Sequence, residues 1–260
     1  MNRDATDLIS KVPAITLGFW VIKILATTLG ETAGDTVSMS LNLGYLVGTA
    51  IFLGILVVLV VLQIRAARFR PLLYWATIIA STTAGTTLAD FATRSMGIGY
   101  PGGSLLLFVL VLSSLFVWRR TLGVIDADRI ATPRAEMFYW ATITFSQTLG
   151  TALGDWTADT AGLGYLGAAA IFAGLLVAVA ILWFRSGINR VVLFWAAFIL
   201  TRPLGAAVGD FLDKPLDHGG LAFSRPVASA VLAVAIVTLV LILPQRAGHH
   251  PKAAVPPPGV

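Results

Sequence analysis

The sequence predicts an all-α polytopic membrane protein with eight transmembrane helices, arranged as four parallel two-helix repeats. The chain is 57% hydrophobic and 12% charged, with a mean hydropathy of +0.85, whereas soluble domains carry about 25% charged residues. Apolar runs of about 18 residues, long enough to cross a bilayer, recur along the whole chain. One pattern also occurs four times: an aromatic residue and a tryptophan, followed 15 residues after the tryptophan by an aspartate.

The repeated pattern has a fixed register. Successive tryptophans are 55, 65 and 55 residues apart, and the aspartates repeat those intervals. A constant period indicates a repeat architecture. The single membrane domain, 1–260, therefore divides into repeats 11–65, 66–120, 131–185 and 186–245. Residues 121–134 are predicted to be a cytoplasmic linker between the halves, and 246–260 a disordered, proline-rich tail.

Each repeat contains two apolar runs, which gives eight predicted spans. In chain order they are Val12–Leu29, Leu46–Ile64, Leu72–Leu88, Ser104–Trp118, Met137–Leu153, Leu166–Phe184, Val191–Val208 and Val227–Leu243. Most are long enough for a hydrocarbon core of about 30 Å.

The loop charges predict the orientation. Of the 18 basic residues, 13 fall on one side of the predicted spans, and the opposite loops hold only Arg94, Lys214 and Arg225. Because lysine and arginine favour cytoplasmic loops, we expect both termini in the cytoplasm. The same basic residues at helix ends suit lipid headgroups, so the pI near 9.9 does not indicate a nucleic-acid partner.

The even number of spans per repeat makes all four repeats point the same way. Such repeats are related by an axis along the membrane normal. Residues 28–35 (TLGETAGD) resemble 148–155 (TLGTALGD), so repeats one and three are more alike than either is to two and four. We therefore expect pseudo-two-fold symmetry that approximates four-fold symmetry.

The recurring tryptophans and acidic pairs also carry a family resemblance. The chain resembles bacterial membrane proteins built from four tandem copies of the repeat of unknown function number 347, each with two spans and a tryptophan. The matching tryptophans are Trp20, Trp75, Trp140 and Trp195, and the resemblance covers about 11–245. It implies the architecture and a multi-pass location in the bacterial inner membrane, but no activity.

The repeat aspartates are the first candidates for chemistry. Ionisable residues at membrane depth are costly and mark ion or proton pathways, and four equivalent acids predict a ring around a common axis. Glu31 adds a fifth carboxylate one turn before the first aspartate. The alternative interpretation is that each aspartate only caps a short helical turn after a glycine. The four aspartates are Asp35, Asp90, Asp155 and Asp210.

Two basic residues, Lys23 and Arg202, lie inside predicted spans and have no basic equivalents in the other repeats. Each is expected to face a carboxylate, water or the interface. With the five carboxylates they leave a formal charge of −3, which favours cations. Each is interpreted either as a switch that competes with a bound cation or as a static ion pair.

Glycines precede three of the aspartates in Gly-x-x-x-Gly patterns, Gly30/Gly34, Gly150/Gly154 and Gly205/Gly209, which favour close helix packing. Such packing of the odd-numbered helices is expected to draw the aspartates towards one axis.

These features favour a transporter or channel for a hard cation, not an enzyme. Carboxylates suit divalent metals such as Mn²⁺ or Mg²⁺, Na⁺, or a proton relay. A bound divalent cation is the only cofactor that the residues suggest, and the expected partners are membrane lipid and an inorganic cation or proton. The alternatives are an intramembrane lipid-processing enzyme and a non-catalytic scaffold or sensor.

Overall fold

A computed structural model of the chain describes residues 11–123, 125, 130 and 132–248. This part of the protein is all-helical, as predicted, and contains eight long α-helices. They are α1 (Leu17–Asp35), α2 (Gly44–Arg65), α3 (Pro71–Asp90), α4 (Gly99–Leu122), α5 (Pro133–Asp155), α6 (Gly164–Arg185), α7 (Arg190–Asp213) and α8 (Arg225–Ile242). Most of the predicted tail, 249–260, and part of the predicted linker lie outside the described residues.

Polar caps and prolines define where the odd-numbered helices begin. The Thr16 hydroxyl accepts a hydrogen bond from the backbone of α1, and the Thr132 hydroxyl does the same for α5. Asn189 caps α7, while α3 and α5 have a proline in the first turn. The first backbone N–H groups of a helix have no partner within it. A capping side chain accepts a hydrogen bond from one of them, and a proline has no N–H group to satisfy.

The odd-numbered helices end further along the chain than the predicted spans. Helices α1, α3 and α5 run to the repeat aspartate, and each continues into one π-helical turn: Thr36–Ser40, Phe91–Ser95 and Trp156–Thr160. Hydropathy misses these last turns because their threonines, glycines and aspartates are buried in protein instead of facing lipid. The aspartates of repeats one to three therefore lie within continuous helical segments, not in loops.

Glycines with positive φ connect each π-helical turn to the next helix. Gly44, Gly99 and Gly164 begin α2, α4 and α6 with φ of 74°, 73° and 65°, a conformation that glycine adopts without steric cost. Repeat four lacks this element. Helix α7 instead continues to Asp213, and a loop with a short 3-10 turn, Leu216–His218, leads to α8.

The odd-numbered helices form a closed ring. Helix α1 packs on α3, α3 on α5, α5 on α7, and α7 on α1. Each even-numbered helix packs outside the ring, mainly against the odd helix of the following repeat: α2 on α3, α4 on α5, α6 on α7 and α8 on α1. Repeat four thus closes onto repeat one by the same contacts that join the other repeats.

The distribution of polarity is the reverse of that in a soluble domain. Five helices, α2, α4, α6, α7 and α8, are long and apolar enough to cross a membrane. Only 11% of the apolar window of α6 is buried, against 61% in α7. Large apolar side chains such as Val57, Leu105 and Val234 are more than half exposed, whereas many threonines on the odd helices are fully buried. An apolar surface of this extent marks contact with a membrane.

Candidate functional site

Five layers of buried side chains are stacked along the ring of odd helices. Each layer takes one residue per helix, and successive layers are four residues apart, so their members share one face of each helix. All twenty side chains are at most 5% exposed. From one end to the other they are the aromatic layer (Phe19, Tyr74, Tyr139, Phe194), the lysine layer (Lys23, Ile78, Ile143, Phe198), the arginine layer (Thr27, Thr82, Gln147, Arg202), the glutamate layer (Glu31, Thr86, Thr151, Ala206) and the aspartate layer (Asp35, Asp90, Asp155, Asp210).

Glycines bring the four helices into this register. One glycine per repeat faces the arginine-layer residue of the next repeat, and a Cβ at any of the four would meet that residue at 3.0 Å or less. The four pairs are Gly30 with Thr82, Gly85 with Gln147, Gly150 with Arg202, and Gly205 with Thr27. The same contact therefore occurs at all four helix interfaces, including the one that joins repeat four to repeat one. Close packing through small residues was predicted from three of these glycines.

Arg202 crosses the centre of the ring. Its Nη2 lies 2.9 Å from Glu31 Oε2, 2.5 Å from Thr86 Oγ1 and 2.6 Å from Thr151 Oγ1, so one guanidinium contacts all three other helices of the ring. The predicted carboxylate partner of Arg202 is thus Glu31. Both side chains are buried. The Arg202 Nη1 donates to the Thr27 carbonyl at 3.4 Å, whereas its Nε has no hydrogen-bond partner among the described residues.

Lys23 has a hydroxyl and an aromatic ring beside it. Its Nζ donates to Thr201 Oγ1 at 3.3 Å and lies 4.2 Å from the centre of the Phe198 ring. Among the described residues no carboxylate lies within salt-bridge distance of this ammonium, so Lys23 is not one half of a static ion pair there. The hydroxyl and the ring face take the place of a carboxylate partner.

Lys214 joins two of the repeat aspartates. Its Nζ lies 2.5 Å from Asp35 Oδ2 and 2.9 Å from Asp210 Oδ1, with Asp213 Oδ1 at 3.9 Å. Burial by itself lowers the pKa of Lys214, but the neighbouring carboxylates of Asp210, Asp35 and Asp213 raise it well above its usual value. Lys214 therefore keeps its positive charge. Arg225, at the start of α8, lies 3.7 Å from Asp35 and adds a second cation.

Arg94 joins the other two repeat aspartates in the same way. Its Nε lies 2.8 Å from Asp90 Oδ1, and its Nη2 lies 3.3 Å from Asp155 Oδ2. Arg94 and Lys214 occupy equivalent positions, four residues after the aspartates of repeats two and four. Each cation bridges its own aspartate to that of the following repeat. The four acids thus form two cation-bridged pairs, an arrangement with two-fold character.

Each aspartate retains a buried oxygen without a hydrogen bond. This holds for Oδ1 of all four, although Oδ1 of Asp90 is ion-paired with Arg94 and Oδ1 of Asp210 with Lys214. None of Asp35, Asp90 and Asp155 makes a side-chain cap to the π-helical turn that follows it, and Asp210 lies within α7. The capping interpretation of these aspartates is therefore wrong.

The charge balance also differs from the predicted −3. The structure adds Arg94, Lys214, Arg225 and Asp213 to the predicted set. Six carboxylates then face five cations, which leaves a formal charge of −1. The sequence offered a signal for two of these residues, because Arg94 and Lys214 follow an aspartate at the i,i+4 spacing that places side chains together on a helix.

An apolar exterior around a buried polar column defines the class: a helical membrane-type protein with internal repeats. The comparison with protein families identifies the repeat. Its profile, described as Repeat of Unknown Function (DUF347), matches residues 18–69, 73–123, 138–189 and 193–245. The chain therefore belongs to the DUF347 family, as the resemblance implied. No curated protein and no solved structure matches it.

Proposed function

We propose that this protein is an integral membrane transporter for a small hard cation, which moves along the axis of the odd-numbered helices. In this proposal all eight helices cross the bilayer, and the repeats are related about its normal. The shortest helix, α8, has 18 residues, which corresponds to about 27 Å and nearly matches a hydrocarbon core of about 30 Å.

The observation that carries the proposal is the column of polar side chains inside an apolar shell. Three of its five layers contain ionisable or hydroxyl groups at most positions, and all are buried. In the arginine layer the two polar atoms of the Gln147 amide and the Thr82 hydroxyl have no protein partner, and the neighbouring Ser146 hydroxyl also has none. Unpartnered polar groups at this depth are costly unless water or an ion satisfies them.

The proposed cation site lies at the aspartate end of the column. Oxygens of Glu31, Asp35 and Asp210 lie within 4.8 Å of one another. The ammonium of Lys214 contacts the two aspartates, so this place already holds a tethered cation. A cation from solution would enter by displacing Lys214, and oxygen ligands suit Na⁺, Mg²⁺ or Mn²⁺.

The closed column favours a transporter with alternating access over an open channel. Arg202 occupies the centre of the ring one layer below the Glu31 carboxylate. Further along, the aromatic layer is closed by the contact between the rings of Phe19 and Phe194 and by a 2.7 Å hydrogen bond between the hydroxyls of Tyr74 and Tyr139. Passage of a cation requires the side chains of these layers to separate. A second ion that binds one of the two conformations more tightly would couple its own movement to this step.

Flux measurements on proteoliposomes test the proposal. The purified protein is assayed for uptake of Na⁺, Mg²⁺, Mn²⁺ and protons beside protein-free liposomes. Asp35→Asn and Asp155→Asn are expected to abolish most of the flux, one in each bridged pair. Asp159→Asn is the matched control, because Asp159 is exposed on the π-helical turn just after Asp155. Absence of flux for every ion, or equal flux in all three variants, contradicts the proposal.

A further inference from the structure

An apolar groove of about 460 Å³ lies on the outer surface where α6 approaches α1 over α7. Its walls include Trp20 and Ile24 of α1 and Leu176 and Ala180 of α6, and its floor includes Phe194 and Thr201 of α7. This volume falls in the range of small-molecule sites, about 300–1,000 Å³. The groove faces the same direction as the exposed apolar side chains of α6.

One end of the groove is basic. Arg190 Cζ lies 4.9 Å from the ring of Trp183, a wall residue, and its Nη1 donates to the Trp183 carbonyl. Arg185 directly follows Phe184, another wall residue, and ends α6. Both arginines are exposed.

We propose that this groove binds an anionic phospholipid, with one acyl chain along the apolar walls and the phosphate among the arginines. The charge complementarity selects this occupant, because a neutral chain alone would gain nothing from the basic end. Basic pockets between membrane helices are typical sites for acidic headgroups, and burial of the acyl chain against the apolar walls adds to the affinity.

The site also lies next to the polar column. Thr201 forms part of the groove floor, and its hydroxyl accepts the hydrogen bond from Lys23. Thr201 itself is fully buried, so the groove lies on one side of it and the lysine layer on the other. A bound acyl chain would therefore lie beside the segment of α7 that also carries Arg202.

Native mass spectrometry of the delipidated full chain tests the proposal, with phosphatidylglycerol and phosphatidylcholine of identical acyl chains as probes. We expect phosphatidylglycerol to bind more tightly. Arg185→Gln combined with Arg190→Gln is expected to weaken that binding about tenfold or more, given the contribution of each basic residue near a headgroup. Ala180→Phe, which fills the groove, is expected to weaken it as well.

Two control variants separate this site from the general lipid surface. Arg65 ends α2 at the position equivalent to Arg185, and Val57 is 61% exposed on α2. Arg65→Gln and Val57→Phe are expected to bind phosphatidylglycerol like the parent. Equal binding of the two lipids by the parent, or parental affinity in both groove variants, overturns the proposal whether or not the protein transports cations.

Discussion

Lys214, which directly follows α7 in repeat four, lies 2.5 Å from Asp35 of repeat one and closes the ring of repeats with an ion pair. Arg94 makes the corresponding contact from repeat two to Asp155 of repeat three. Repeats one and three have Met39 and Asp159 at the same position, and neither residue is basic. The aspartates of these two repeats are therefore paired with a cation from the preceding repeat. The aspartates are thereby divided into two pairs, each sharing one basic side chain.

Removing the buried guanidinium is expected to destabilise the protein strongly. Arg202→Met leaves the carboxylate of Glu31 buried without its cation, and the free energy of unfolding should fall by about 3–5 kcal/mol. Adding Glu31→Gln should recover part of the loss, because the second change removes the unpaired charge. Denaturant unfolding in micelles, followed by tryptophan fluorescence, measures both. If Arg202→Met is no less stable than the exposed control Arg65→Met, the buried ion pair between Arg202 and Glu31 is contradicted.

A methyl group on the ring glycines is expected to separate the helices. In Gly205→Ala the added Cβ meets the side chain and backbone of Thr27, and overpacking of this kind costs about 1–3 kcal/mol. Gly54→Ala is the matched control, since Gly54 lies within α2 and has open space around it. That change should stabilise the helix by about 0.5–1 kcal/mol. Thermal unfolding that ranks the two variants in the opposite order would show that the ring is not closely packed there.

The sequence predicted the helices and the positions of the candidate acids, because both follow from local pattern. The period located Asp35 and its equivalents, and the apolar runs located the even-numbered helices. It did not predict that α1, α3 and α5 extend through the aspartates, since hydropathy cannot distinguish a polar segment buried in protein from one in water.

The partners of the charged residues could not be predicted without knowing the order of the helices in the ring. The i,i+4 spacing places Lys214 beside Asp210, but its contact with Asp35 depends on repeat four packing against repeat one. Lys23 shows the same limit: sequence rules favour a carboxylate partner for a buried ammonium, whereas the ring places Thr201 and Phe198 next to it. Arg202 does have a carboxylate partner, as the sequence predicted. Its partner is Glu31, which lies on the neighbouring helix α1 in the layer next to that of Arg202.

Cysteine labelling tests the predicted orientation, and the absence of native cysteines removes any background. Arg68→Cys and Gly187→Cys lie in exposed connections at the basic ends of the helices, and Met96→Cys and Leu216→Cys lie at the opposite ends. In intact cells a membrane-impermeant maleimide should label only the second pair, because arginine-rich connections remain in the cytoplasm. Labelling of the first pair alone would reverse the orientation, and labelling of both pairs would contradict a membrane-spanning arrangement.

The concentration dependence of cation flux in proteoliposomes tests the central claim most directly. If Lys214 is a tethered competitor at the Asp35–Asp210 site, Lys214→Gln should lower the cation concentration for half-maximal flux by about fivefold or more, the scale of a typical coupling between two ligands. Arg65→Gln, which changes the same formal charge on an exposed helix end, should leave it unchanged. A half-saturating concentration that is equal to or above the parent value in Lys214→Gln would contradict the assignment of this site.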